Sequence, residues 1–182
     1  VGDQAEKAHL LAKAEAIAHN LKQGGDMLIG SYFNNLSKDE QEYLREALLL
    51  AFRDGKDVPP ERATQADLAG LRPFHWPLEF PEVFLAEGRG GFDAFVGNPP
   101  FIGGQRISGL LGSKYLQYLK VYWSHARGSA DYSAYCFLRG FADLRQGGTL
   151  GLIATNTIAQ GSTRELGLDY ISRQGGTIYF AI

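Results

Sequence analysis

The residues of this sequence best fitted to do chemistry are Asn98-Pro99-Pro100-Phe101. Asn98 precedes a proline, which biases its backbone away from helix, so its amide projects from an extended and stiffened chain. Two successive prolines bring no backbone donors, while the carbonyls of Asn98 and Pro99 stay free to accept. Phe101 adds an aromatic face. Such a loop is suited to gripping a planar NH2 group. The Asn98 side-chain oxygen and the Pro99 carbonyl each accept one amine hydrogen, and Phe101 stacks on the ring that carries the amine. Drawing both hydrogens out of conjugation localises the nitrogen lone pair, so a poor nucleophile becomes competent. A Pro-Pro surface turn capped by Asn is the bland alternative. Val58-Pro59-Pro60 serves as an internal comparison, with the same prolines and no strand in front of them.

The tetrapeptide does have a strand in front of it. Phe92-Asp93-Ala94-Phe95-Val96, bounded by Gly90-Gly91 and by the prolines, reads as a short buried strand. Asn98-Pro99-Pro100-Phe101 resembles the (Asn/Asp/Ser)-Pro-Pro-(Tyr/Phe) motif of amino-methyltransferases that use S-adenosylmethionine, in the form of the N6-adenine DNA branch. The resemblance extends to Phe74-His75-Trp76, Leu78-Glu79-Phe80-Pro81-Glu82-Val83-Phe84 and Gly90-Gly91-Phe92-Asp93. In that order they resemble the large adenine methyltransferases of bacterial type II restriction–modification systems, enzymes that fuse restriction and methylation, and related phage-defence methylases. The resemblance implies S-adenosylmethionine as cofactor and double-stranded DNA with a flipped adenine as partner. It makes Asn98, Pro99, Pro100 and Phe101 the catalytic residues of methyl transfer to N6. Flipping the base costs a few kcal/mol in unstacking, offset by stacking and phosphate contacts.

Composition agrees with a soluble cytoplasmic protein. The chain has 182 residues with 45% hydrophobic and 21% charged content, enough for a real core. No run approaches the roughly 20 apolar residues of a membrane helix, and the start has no signal-peptide pattern. A single Cys136 forbids an internal disulfide, and its apolar neighbours suit a buried thiol. One cysteine and four scattered histidines offer no metal spacing. Net charge is −2, against a freestanding basic DNA-binding module. Its distribution says more. Residues 1–93 carry 10 basic and 16 acidic side chains, and residues 131–182 carry 4 of each. Between them, residues 94–130 hold Arg106, Lys114, Lys120 and Arg127 and no Asp or Glu. Tyr115, Tyr118, Tyr122 and Trp123 share that window. Cations interleaved with aromatics beside an amine-gripping loop suit a flipped nucleotide, so Gln105, Arg106, Lys114 and Lys120 are the expected DNA-binding residues. A solvated helix with a chance sign bias is the competing reading.

The elements that must position this loop follow from periodicity. Residues 4–22 are Ala-rich without Pro or Gly and predict a helix, with Leu10, Ala14, Ile17 and Leu21 as its apolar stripe. The period continues to Leu36 past Gly24-Gly25; a loop over 24–36 that contacts the cofactor adenine is the alternative, and helix is favoured. Ser37 and Glu40 form a capping-box pattern for a helix to about Phe52. A short helical piece is expected over 63–70. Three prolines within 73–84 forbid a long helix or central strand, leaving Phe74, Trp76, Phe80 and Phe84 to plug an apolar surface, with His75 and Glu79 structural. Ile102 to Arg106 reads as a flexible glycine loop that orders on DNA. Helices are expected from Ser113 to Trp123 and from Tyr132 to Leu144, the latter with Ser129 or Asp131 as N-cap and ended by Gln146-Gly147-Gly148. Thr149 to Ala154 reads as a second buried strand. Strand, crossover helix and strand predict a parallel pair, and Asn156 then lies on the same rim as Asn98. A weak helix over 162–174 and a strand over 177–182 complete the chain.

One expected feature is missing. The family's Asp-Pro-(Ala/Gly)-Cys-Gly-Ser-Gly cofactor turn has no counterpart in residues 1–182. The expectation is therefore an α/β fragment: part of a class I, Rossmann-like methyltransferase sheet with an N-terminal helical segment. Residues 1–72 would be a helical insert or linker and residues 73–182 the later part of the catalytic domain. The remainder of the same polypeptide would complete the cofactor site, and the fragment alone would be inactive. Two other functions compete: methylation of a protein glutamine amide, by enzymes that favour Tyr at the fourth motif position, and a non-catalytic relic domain.

Overall fold

The computed structural model describes residues 2–34, 36–56, 71–88 and 90–179. The helix expected over 63–70 and the Pro59-Pro60 turn lie outside the described residues. Two compact units divide the chain, Val1–Phe80 and Pro81–Ile182.

In the first unit, α1 (Gly2–Phe33) runs unbroken through Gly24-Gly25. The cofactor-contacting loop considered for 24–36 is therefore helix over most of its length. Glycine inside a helix costs about 1 kcal/mol relative to alanine, and here close packing offsets it. A Cβ on Gly24 would enter the ring of Phe52, and one on Gly25 would lie 2.6 Å from Cε1 of His75. His75 in turn holds Nε2 2.7 Å from Oδ1 of Asp26, and Lys22 faces Glu79 at 3.9 Å. Both His75 and Glu79 thus have structural partners, as the sequence suggested.

The second helix, α2 (Lys38–Arg53), packs Leu48 on Met27, with Leu28, Leu44 and Phe52 around them. It has 16 residues against the 32 of α1, and it ends near Asn20, whose amide reaches the Lys56 carbonyl. The upper stripe of α1 is consequently exposed, Leu10 and Ile17 by more than half. The Ser37 capping box forms as expected. The Glu40 amide donates to Ser37 Oγ at 3.3 Å, and the Ser37 amide donates to Glu40 Oε2 at 2.8 Å. Donation from the Ser37 hydroxyl and amide holds the Glu40 carboxyl below the usual range. Ser37→Ala is expected to destabilise this unit by about 1 kcal/mol, read as a lower thermal midpoint. An unchanged midpoint would mean that the cap is redundant. Where three prolines excluded long elements, the part within this unit is one short turn, α3 (Trp76–Glu79), with Trp76 and Phe80 stacked at 5.9 Å and Phe74 edge-on to Trp76.

The second unit opens with the turn α4 (Pro81–Phe84) and the strand β1 (Phe92–Gly97). After a 3-10 turn, Gly104–Arg106, come α5 (Ile107–Leu111), α6 (Ser113–Tyr122), α7 (Tyr132–Ala142) and β2 (Leu144–Leu152). A second 3-10 turn, Asn156–Ala159, precedes α8 (Gly161–Leu166) and α9 (Leu168–Arg173). The core gathers Ile107, Leu119, Ala134, Tyr135, Leu138 and Leu166. Cys136 is half-buried on α7, and burial pushes its thiol up to about 11, so it is unreactive at neutral pH. Among the described residues no helix is long and apolar enough to cross a membrane.

Within this unit β1 and β2 pair in parallel, as the strand–helix–strand order required, giving a mixed α/β architecture with a two-stranded sheet. Several expectations about this unit need correction. Neither strand is buried throughout: Phe92 and Phe95 turn inward, whereas Val96 is 83% exposed, because no described element covers that face. The helix ends at Ala142, and β2 starts at Leu144 rather than Thr149. Phe92 pairs with Leu144 and Ala94 with Thr149, so Gln146-Gly147-Gly148 forms a bulge inside the strand instead of ending a helix. The weak helix over 162–174 is two short helices meeting at Gly167, which lies against Ala134 of α7. Residues 177–179, expected to begin a strand, have no ladder partner among the described residues and form no regular element.

Candidate functional site

Parallel pairing fixes where the Asn-Pro-Pro loop lies. Gly97 pairs with Leu152, and the Ile153 amide donates to the Gly97 carbonyl at 3.1 Å, so the chains leaving β1 and β2 start side by side. Asn98 is the first residue beyond β1 and is exposed, with its side chain free of partners among the described residues. Pro99 is buried and anchors the turn; Pro100 is exposed. Phe101 is 54% exposed, so its ring is available to a planar ligand. The Pro100 carbonyl is consumed by the Ile102 amide at 3.1 Å. Beyond β2, Asn156 is exposed on its 3-10 turn, on the same rim as Asn98.

What fixes this rim is a residue that the sequence offered as a helix cap. Asp131 stands at the N-cap position of α7, yet its carboxylate makes no capping bond. Oδ1 accepts from the Gly104 amide at 3.0 Å, and Oδ2 accepts from the Thr157 hydroxyl. The Asp131 amide donates to Thr163 Oγ1 at 3.1 Å, and the Tyr132 amide donates to the Ile102 carbonyl at 2.9 Å. The loop after β1, the start of α7 and the turn after β2 are thereby joined.

The glycine loop expected to be flexible is thus pinned. Gly104 is buried, and a Cβ there would overlap the Ser129 carbonyl and lie 2.5 Å from the Ala130 carbonyl oxygen. Only glycine lets the two backbones approach this closely. Gln105 and Arg106 remain exposed on the turn that follows, and Lys114 and Lys120 are exposed on α6. Of the four Tyr and Trp residues in that window only Tyr122 is largely exposed, at 51%. Tyr115, Tyr118 and Trp123 are half-buried against the core, and Tyr115 meets the Tyr132 hydroxyl at 2.9 Å. Burial followed by that hydrogen bond raises the Tyr132 phenol well above its usual range, so it stays neutral. Helical spacing alone does not tell an aromatic stripe that faces a ligand from one that faces the core.

A surface depression lined by Gly88, Asp93, Arg145, Gln146 and Gly147 lies at the amino ends of the strands, the opposite edge from Asn98. Arg145 Nε there donates to Asp93 at 2.6 Å. It has no part in the rim.

The chain also matches a family model. The model of the Eco57I restriction-modification methylase covers residues 4–171. This chain belongs to that family. No curated protein and no solved structure matches it.

Membership makes the methylase a methyltransferase of restriction–modification type, and the family generally uses S-adenosylmethionine. The described glycine pairs do not fit that cofactor's methionine end. Gly24-Gly25 is inside α1 beneath Phe52 and His75, and Gly104 is filled by the Ser129 carbonyl. Gly148, within β2, would place a Cβ 2.9 Å from the Phe92 carbonyl oxygen, and Gly176 lies under Ile171. None is an open turn at a strand's carboxyl end, where backbone N–H groups cradle such a group.

Proposed function

We propose that this methylase transfers a methyl group from S-adenosylmethionine to the N6 amine of an adenine flipped out of duplex DNA. Residues 98–101 hold the amine. The observation that supports this most is the disposition of Asn98 and Phe101, an exposed amide and an exposed ring on either side of two prolines at the carboxyl end of a parallel strand. Sheet rims of this kind are where open α/β folds collect ligands. In this reading β1 and β2 are two strands of a class I methyltransferase sheet. The turn that cradles the cofactor comes from polypeptide outside residues 1–182.

When bound, the cofactor supplies an electrophilic methyl group. The chain's own contribution is binding and orientation. The Asn98 side-chain oxygen and the Pro99 carbonyl accept the two amine hydrogens, which localises the lone pair and aims it along one direction. Phe101 covers one face of the purine, an aromatic contact that offsets part of the few kcal/mol lost on unstacking. Gln105, Arg106, Lys114 and Lys120 meet the DNA backbone; each phosphate contact positions the duplex and adds to the salt dependence of binding. Phe at the fourth motif position favours a nucleobase over a glutamine amide. The test is methyl transfer by the full-length polypeptide from radiolabelled S-adenosylmethionine. The expected product is N6-methyladenine in duplex DNA. Label in protein glutamine and none in DNA would overturn the reading.

A further inference from the structure

The Asp131 carboxylate makes two hydrogen bonds that no cap or core requires. A residue at the N-cap ordinarily turns its side chain onto the first free amides of its own helix, and that bond is worth about 1 kcal/mol. Asp131 forgoes it. Its two carboxylate oxygens are instead divided between the Gly104 amide on one loop and the Thr157 hydroxyl on the other. Because Thr157 gives its proton to the carboxylate, it must accept from Thr155, whose Oγ1 lies 2.6 Å away. The order of donation is therefore fixed, from Thr155 to Thr157 to Asp131. Hydrogen bonds to an ionised acceptor are about twice as strong as neutral ones. Gly104 follows the Asn98-Pro99-Pro100-Phe101 turn closely, and Asn156 lies between Thr155 and Thr157.

We infer that Asp131 is a positioning residue for methyl transfer. It holds the loop bearing the amine acceptors Asn98 and Pro99 at a fixed offset from the turn bearing Asn156. The inference rests on the proposed function for its effect on turnover, and on the hydrogen bonds alone for its effect on the loops. Asp131 itself touches no reacting atom. Its loss lets the two loops move apart, and a misplacement of about 1 Å at a reacting centre costs on the order of 100-fold in rate.

The test uses Asp131→Ala, which removes both acceptor oxygens, and Thr157→Val, which removes the hydroxyl at the other end. In the full-length enzyme each is expected to lower kcat for DNA methylation by on the order of 30-fold or more, with KM for DNA within about threefold. The double variant should be little worse than either single one, because both break the same link. Amide hydrogen exchange supplies a readout independent of activity. Peptides covering 98–106 and 155–160 should both exchange faster in Asp131→Ala, while those covering α1 and α2 stay unchanged. Exchange that quickens only around residue 131, or in neither loop, would overturn the inference. So would additive effects of the two substitutions, or a loss confined to KM. If the unsubstituted enzyme methylates no DNA, the proposed function fails, and the exchange result still decides whether Asp131 joins the loops.

Discussion

Asn98→Ala is expected to lower kcat for methyl transfer by about 100- to 1,000-fold while leaving the fold intact. The side-chain oxygen of Asn98 is one of two acceptors assigned to the amine. Without it one N–H stays conjugated or turns to water, and the lone pair is no longer aimed. Removing one preorganised polar contact from a reacting centre costs about 100- to 1,000-fold in kcat. Nothing in the fold compensates or suffers, because the Asn98 side chain is exposed and has no partner among the described residues. The thermal midpoint should therefore change by no more than a surface substitution produces, about 0.5 kcal/mol. Asn98→Asp keeps a carboxylate oxygen where the amide oxygen was and should retain more activity than Asn98→Ala. Single-turnover rates on duplex DNA with the full-length enzyme separate these outcomes. Unchanged turnover in Asn98→Ala would favour a relic domain and end the amine-gripping account.

Some of this site was legible from residues alone. Proline chemistry placed Asn98 outside any helix, and strand, helix and strand in succession required the parallel pair that puts Asn98 and Asn156 on one rim. The capping box at Ser37 and Glu40 is a local pattern and formed as read. Burial was not legible, because it depends on what covers a strand and not on the strand's own composition. Phe92-Asp93-Ala94-Phe95-Val96 has the same residues whether Val96 faces a neighbour or, as here, solvent. Glycine was ambiguous in the same way. Gly103-Gly104 and Gln146-Gly147-Gly148 suggest mobility or termination, yet close backbone approach and a strand bulge ask for the same residue. Asp131 does stand at the N-cap, but the role of its side chain was missed because the N-cap rule weighs a carboxylate against its own helix. The partners that won, Gly104 and Thr157, lie 27 and 26 residues away in sequence. Long-range competition of this kind has no local signature.

The same close approach makes Gly104→Ala the most damaging small substitution expected in the second unit. The added methyl would overlap the Ser129 carbonyl and crowd that of Ala130, both backbone groups that no side-chain rotation can clear. One of the two loops must move. If the 102–106 segment lifts, the Gly104 amide leaves Asp131 and the Ile102 carbonyl leaves the Tyr132 amide. Overpacking costs about 1–3 kcal/mol, and each lost hydrogen bond adds about 1 kcal/mol, more where the acceptor is charged. The sum, about 3–5 kcal/mol, should lower the thermal midpoint of a unit of this size by more than about 10 °C. Turnover should fall with it even below that midpoint, because the displaced segment directly follows the turn that carries Asn98 and Phe101. Gly103→Ala is the matched control: a Cβ there meets only Asp131 Oδ1, at an ordinary 3.8 Å. Equal midpoints for the two variants would mean that the Gly104–Ser129 approach does not hold this loop.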